Sequence, residues 1–128
     1  GATVLDSNLQ HLIEETGRKP VVITGVLGTV RAQPLIEVIA RYACEIHLVV
    51  PTQPRACSHA DLAALIPDGF AGQVVRNDLA NLFPDPSHCT AGGEEDVLVA
   101  TGSIYLIGEL MARLTPQSGP GEGRLQDF

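Results

Sequence analysis

Two stretches of this chain, VVITG at 21–25 and VLVATG at 97–102, are unbroken runs of β-branched and small residues with no polar–apolar alternation. A strand that is apolar on both faces has to be covered on both, which is the habit of strands inside a parallel sheet. Each run ends in Thr-Gly, at Thr24-Gly25 and Thr101-Gly102. In a parallel sheet the two corners fall on one carboxyl edge, where ligands of such sheets bind at a topological switch point.

The remaining segments supply the helices that such a sheet needs. VRAQPLIEVIARYA, 30–43, puts Leu35, Ile36, Ile39 and Ala40 on one stripe and predicts an amphipathic helix, with Pro34 tolerated only near its first turn. EIHLVV, 45–50, reads as a strand closed by Pro51. Ser58 and Asp61 have the spacing of a capping box, with Asp for the usual Glu, and open a helix over HADLAALI. A short strand near 72–75 and a helix near 77–83 follow. PDPSHCTAGGEE, 84–95, carries turn formers and no apolar period and reads as a surface loop. The last pair is a strand at 96–101 and a helix from about residue 104 to 114. Ahead of them all, NLQHLIEETG, 8–17, has Leu9, Leu12 and Ile13 in helical period, Asp6 or Ser7 as a cap and Gly17 as a stop.

Strands that alternate with helices are joined by crossovers between parallel neighbours, hence an open α/β sheet with helices on both faces. The chain of 128 residues is long enough to bury one core without disulfides or metal. One domain is expected over 1–114. Residues 115–128, rich in Pro, Gly, Gln and Ser, read as a flexible tail.

A net charge of -7 is the wrong sign for neutralising nucleic-acid phosphates, and with aromatics at 4% there is little to stack on bases. No run approaches the ~20 apolar residues of a membrane span, and no basic-then-apolar leader opens the chain, so a cytoplasmic location is expected. Cys44, Cys57 and Cys89 are odd in number and widely spaced, as reduced thiols are. Neither Cys57 with His59 nor His88 with Cys89 has zinc-knuckle spacing, and no metal is expected.

At Gly102 the chain turns from strand to helix, and a residue without Cβ lets the backbone turn tightly or approach a ligand. Amides at the start of that helix, with the Ser103 hydroxyl, make donors for a carboxylate or phosphate, and Tyr105 adds an aromatic hydroxyl. Alternatively, Ser103 merely caps the helix and Tyr105 packs at the sheet edge. TGVLGT, 24–29, lacks the third glycine and the acid of the dinucleotide fingerprint, and the single lysine, Lys19, excludes a G-K-[ST] phosphate loop. Ser103 is outside any G-x-S-x-G, and no histidine follows residue 89, which counts against a serine hydrolase. His11 and His47 read as surface or edge residues, and Glu14, Glu15, Glu94 and Glu95 as solvated faces.

These residues resemble the C-terminal domain of folylpolyglutamate synthase/dihydrofolate synthase, in the Mur ligase family. VLVATGSIYLIGELMARL, 97–114, looks like that family's strand, Gly-Ser-x-Tyr corner and last helix. VVITGVLGTVRAQPLIEVI is similar to the strand and helix around its G-x-L-x-D-K-x, and PRACSHADLAAL to its Pro-Arg-Ala loop. The resemblance implies a Rossmann-like, mostly parallel sheet in a ligase that activates a folate or pteroate carboxylate as an acyl phosphate for attack by glutamate. ATP and Mg2+ would be held mainly by a separate ATPase domain of the same chain, over which this domain closes; the isolated fragment is expected to be inactive. Gly102, Ser103 and Tyr105 would face glutamate and the interdomain cleft, and Gly25 and Thr29 would lie toward the nucleotide. The family's Asp-Lys falls at Thr29 and Val30, and its Asp-Gly-Ala-His-Asn segment is not present. The competing reading is a stand-alone Rossmann-like module binding a nucleotide or small carboxylate without catalysis; an interaction domain docking a protein through its sheet edge is a third.

Overall fold

The first apolar run forms β1 (Val21–Gly25), buried at every position as a strand covered on both faces must be. The computed structural model describes residues 2–85, 88–92 and 96–114. Parallel to β1 lie β2 (Glu45–Leu48) on one side and β4 (Leu98–Gly102) on the other, and β3 (Gln73–Arg76) extends the sheet beyond β2. The order is β3-β2-β1-β4, and every pairing is parallel.

Side chains of β1 alternate between two cores. Val22 meets Ala32, Ile36 and Ile39 of α2 (Thr29–Tyr42), Ile46 and Leu48 of β2, and Leu62 of α3 (His59–Ala64). Val21 and Ile23 meet Leu79 and Leu82 of α4 (Leu79–Leu82), Phe83, and Leu106 and Leu110 of α5 (Ile104–Leu114). Helices therefore cover both faces. From β1 the chain steps outward through β2 to β3, then returns to the opposite side of β1 as β4; the step reverses between β1 and β4, and a crevice opens at such a reversal.

Local signals hold where a side chain fixes the backbone. The Ser58 hydroxyl accepts from the Asp61 amide at 3.1 Å while the Asp61 carboxylate accepts from the Ser58 amide at 3.3 Å, which completes the capping box of α3. Asp78 caps α4 through the Asn81 amide at 2.7 Å. Pro34 falls in the second turn of α2, so the Val30 carbonyl lacks the amide that would ordinarily meet it.

Three expectations change. α1 runs over Ala2–Thr16, so neither Asp6 nor Ser7 caps it. Asp6 instead forms an ion pair with Arg41 and accepts the Tyr42 hydroxyl at 2.7 Å, which straps α1 to the end of α2. His47 is 5% exposed rather than a surface residue, because β2 is an inner strand. Its Nδ1 accepts from the Asn77 amide at 3.1 Å, which leaves the proton of the neutral ring on Nε2 to donate to Glu45 at 2.6 Å. The 84–95 stretch is not simply surface: Ala91 is buried beside α4, and the Thr90 amide and hydroxyl donate to the Leu82 and Asn81 carbonyls at 2.8 and 2.9 Å. Glu94, Glu95 and the tail at 115–128 lie outside the described residues. Among the described residues no helix is long and apolar enough to cross a membrane.

Candidate functional site

The register of β1 and β4 pairs Thr24 with Thr101 and Gly25 with Gly102, so both glycine corners share the carboxyl rim at the point of reversal. Gly102 has φ 133°, and a Cβ there would stand 2.3 Å from the Gly25 carbonyl oxygen. No other residue fits that corner. A Cβ on Gly25 would stand 2.4 Å from the Val49 carbonyl oxygen, so this glycine serves the close passage of the chain leaving β2. Gly25 and Thr29 were expected to lie toward a nucleotide; Gly25 is buried in the sheet and Thr29 is exposed at the first position of α2.

Between the corner and α2 lies a cleft of about 610 Å3. Gly102, Ser103, Ile104 and Tyr105 form one wall; Val26, Leu27, Val30, Arg31, Pro34 and Leu35 form the other, with Ala2 at one end. The structure thus brings Gly102, Ser103 and Tyr105 together and leaves Gly25 and Thr29 off the lining. The second wall is pinned from behind. The Gly28 and Cys57 amides donate to the Arg55 and Val26 carbonyls at 3.2 and 2.9 Å, tying the β1–α2 turn to the Pro-Arg-Ala loop. The first wall is tied to the same loop, where Thr52 donates from its amide and hydroxyl to the two Glu109 carboxylate oxygens at 2.9 and 2.8 Å.

Ser103 both caps and lines. Its hydroxyl accepts from the Tyr105 amide at 3.0 Å, and its carbonyl accepts the first helical bond, from Ile107 at 3.1 Å. The Ser103 amide is spent on the Gly25 carbonyl at 2.8 Å. The amide cluster expected for an anion is smaller for that reason: the Ser103 and Tyr105 amides are engaged, while the Ser103 hydroxyl keeps its own proton to donate. Tyr105 is 46% exposed, so it is not packed away at the sheet edge.

The electrostatics of the cleft come from one side chain and two helix ends. Among the described residues Arg31 is the sole charged one on its lining. Neither α2 nor α5 carries an acid in its first turn, and the positive dipole ends of both point at the cleft's rim. Arg31 was missed in the sequence. The available signal was its place just after a strand-ending glycine turn, in a helix's first turn, where the dipole disfavours a cation. Lys19 precedes β1 on the opposite rim. Among the described residues no carboxylate lines the cleft to serve Mg2+ as a ligand, and no group of three or more His, Cys, Asp or Glu gathers elsewhere.

Two thiols near these elements are held in the neutral form: burial, then the nearby Asp61 charge, pushes the Cys57 thiol up, and burial followed by Asp96 does the same for Cys44. Neither lines the cleft. Compared with protein-family models, with curated proteins and with solved structures, the chain matches none.

Proposed function

We propose that this chain is the C-terminal domain of an ATP-dependent ligase that adds glutamate to dihydropteroate or folate, of the folylpolyglutamate synthase/dihydrofolate synthase kind. The observation that carries the reading is the Gly-Ser-x-Tyr corner. It stands in register with Gly25 and faces the first turn of α2 across one cleft. A ligase of this kind must gather an activated acid and an amine in a closed, water-poor space, and domain closure supplies both the orientation and the dryness.

The rim suits closure. Val30 is 89% and Ile104 79% exposed, one on each wall, and with Tyr105 they form an apolar border to the cleft. Large apolar side chains grouped around a binding cleft mark a face that meets another protein surface. They count against a finished stand-alone module, whose cleft would have its apolar border turned inward. ATP supplies the activating phosphoryl group, and in this reading it is held with Mg2+ by the other domain. The chain's own residues line the amino-acid side and shut out water.

The test is an enzyme in which this chain follows an ATPase domain bearing a G-K-[ST] loop. It should incorporate labelled glutamate into dihydropteroate or tetrahydrofolate with release of ADP, whereas the isolated chain should turn over no ATP. Ser103→Ala and Tyr105→Phe should raise the glutamate KM more than the folate KM. Absence of incorporation into either acceptor would falsify the assignment.

A further inference from the structure

We infer that Arg31 is the carboxylate anchor of the cleft, holding the amino-acid substrate by a carboxylate while leaving its amine without a partner. The inference rests on the ligase reading and adds to it a residue and a division of labour.

Three features of the lining lead there. Arg31 has no hydrogen-bond or ion-pair partner among the described residues, and it is the one charge on a wall otherwise built of Val26, Leu27, Val30, Pro34 and Leu35. Arg31 is exposed in this chain, and its planar guanidinium can meet a carboxylate with two parallel N–H···O bonds, a pairing that strengthens once a closing domain shuts water out of the apolar walls. Arg31 also sits in the first turn of α2, with no acid beside it and the helix dipole against it. An anion delivered to this spot relieves both the dipole and the bare guanidinium. On the facing wall, the free proton of the Ser103 hydroxyl gives the same anion a second donor.

That no acid stands on the lining among the described residues decides what becomes of the amine. An amino-acid binding site that only had to hold its ligand would pair the ammonium with a carboxylate. A ligase needs the opposite, because the nitrogen attacks the acyl carbon with its lone pair and must first lose a proton. A cation nearby and no anion favour the neutral amine. The nitrogen then forms the new C–N bond as phosphate leaves with the C–O bonding pair, and the amine's remaining extra proton passes to solvent or phosphate.

The experiment uses the whole chain and titrates it by NMR with glutarate, glutamate and uncharged glutaramide. Glutarate and glutamate should shift the Arg31 Nε–H and the Gly102 and Ser103 amides, and glutaramide should not. Arg31→Gln should weaken glutarate binding about tenfold or more, and Arg31→Lys, which keeps the charge but not the paired N–H···O geometry, should restore only part of the loss. Glutamate affinity should rise as the pH is taken through the titration of its amine, while glutarate affinity stays flat; a merely structural arginine would not produce that difference. Arg31 is exposed, so neither variant threatens the fold. Equal glutarate affinity in Arg31→Gln overturns the inference, as does glutamate affinity that falls with pH, or tighter binding of 4-aminobenzoate than of glutarate. Incorporation of glutamate that is indifferent to Arg31→Gln would sink the anchor and leave the ligase standing. A carboxylate site that depends on Arg31, in an enzyme that makes no product, would sink the ligase and leave the anchor.

Discussion

Replacing Gly102 by alanine tests the corner on which the cleft depends. Its φ of 133° is a conformation that residues with a Cβ rarely adopt, at a cost of about 1–3 kcal/mol. The new Cβ would also stand 2.3 Å from the Gly25 carbonyl oxygen and 3.2 Å from the Gly25 carbonyl carbon and amide nitrogen. Those atoms are backbone of the central strand and cannot swing aside, so overpacking adds about 1–3 kcal/mol. Relief would come by prying β4 from β1, which endangers the bond from the Ser103 amide to the same carbonyl. The total, about 2–6 kcal/mol, is a large part of the roughly 5–15 kcal/mol by which a domain is stable.

The assay is urea unfolding of Gly102→Ala beside Gly108→Ala. Gly108 lies inside α5 with nothing within 4 Å of its would-be Cβ, so alanine there should stabilise by about 0.5–1 kcal/mol through helix propensity alone. With a slope of about 1–3 kcal/mol per molar urea, the two midpoints should move in opposite directions, and the first by roughly a molar or more. If Gly102→Ala unfolds within about 0.5 kcal/mol of the parent at an unchanged slope, the steric account of the corner is wrong.

Two further outcomes follow from the same geometry. Ser58→Ala removes one half of the α3 capping box and should cost about 1 kcal/mol in urea unfolding, with Ser58→Asp recovering most of it; no loss would mean that the reciprocal bonds contribute nothing. Because both the Cys57 and Cys44 thiols are raised, less thiolate is present at any given pH, so alkylation by iodoacetamide, followed by mass spectrometry, should be slower than for a free cysteine peptide, with the rate rising at higher pH than the peptide's. Cys57, 3% exposed, should be the slower of the two and the exposed Cys44 the closer to the peptide, and a Cys57 rate equal to the peptide's would show that burial does not govern that thiol.

The strands and their direction were legible because apolar runs mark them: VVITG is buried at every position as expected, whereas VLVATG forms the edge strand β4 and stays half-buried, yet both are parallel neighbours with their glycines in register. The capping box at Ser58 was legible because it is closed within four residues. What the sequence hid was long-range. Asp6 looks like a cap until Arg41 and Tyr42 are brought to it across α1 and α2. His47 looks like a polar residue on an edge until β3 forms outside β2 and Asn77 and Glu45 close around the ring. In both, a polar side chain is satisfied by a partner that chain separation conceals.

The candidate site divides along the same line, and the division explains why its cation was overlooked. Gly102, Ser103 and Tyr105 are consecutive in one motif, so their meeting follows from local geometry. Arg31 reaches the same cleft only because β1 and β4 are neighbours, which places the start of α2 opposite the start of α5. A helix-first-turn arginine lacking an acid is an electrostatic oddity within its own helix. Across the sheet reversal it becomes, among the described residues, the one charge in an apolar cleft, on whose lining stands a serine with an unspent hydroxyl proton. Capping and binding therefore do not compete at Ser103: the oxygen is positioned by accepting from the Tyr105 amide, and the hydroxyl proton, which turns about the Cβ–Oγ bond, stays available to an anion on Arg31.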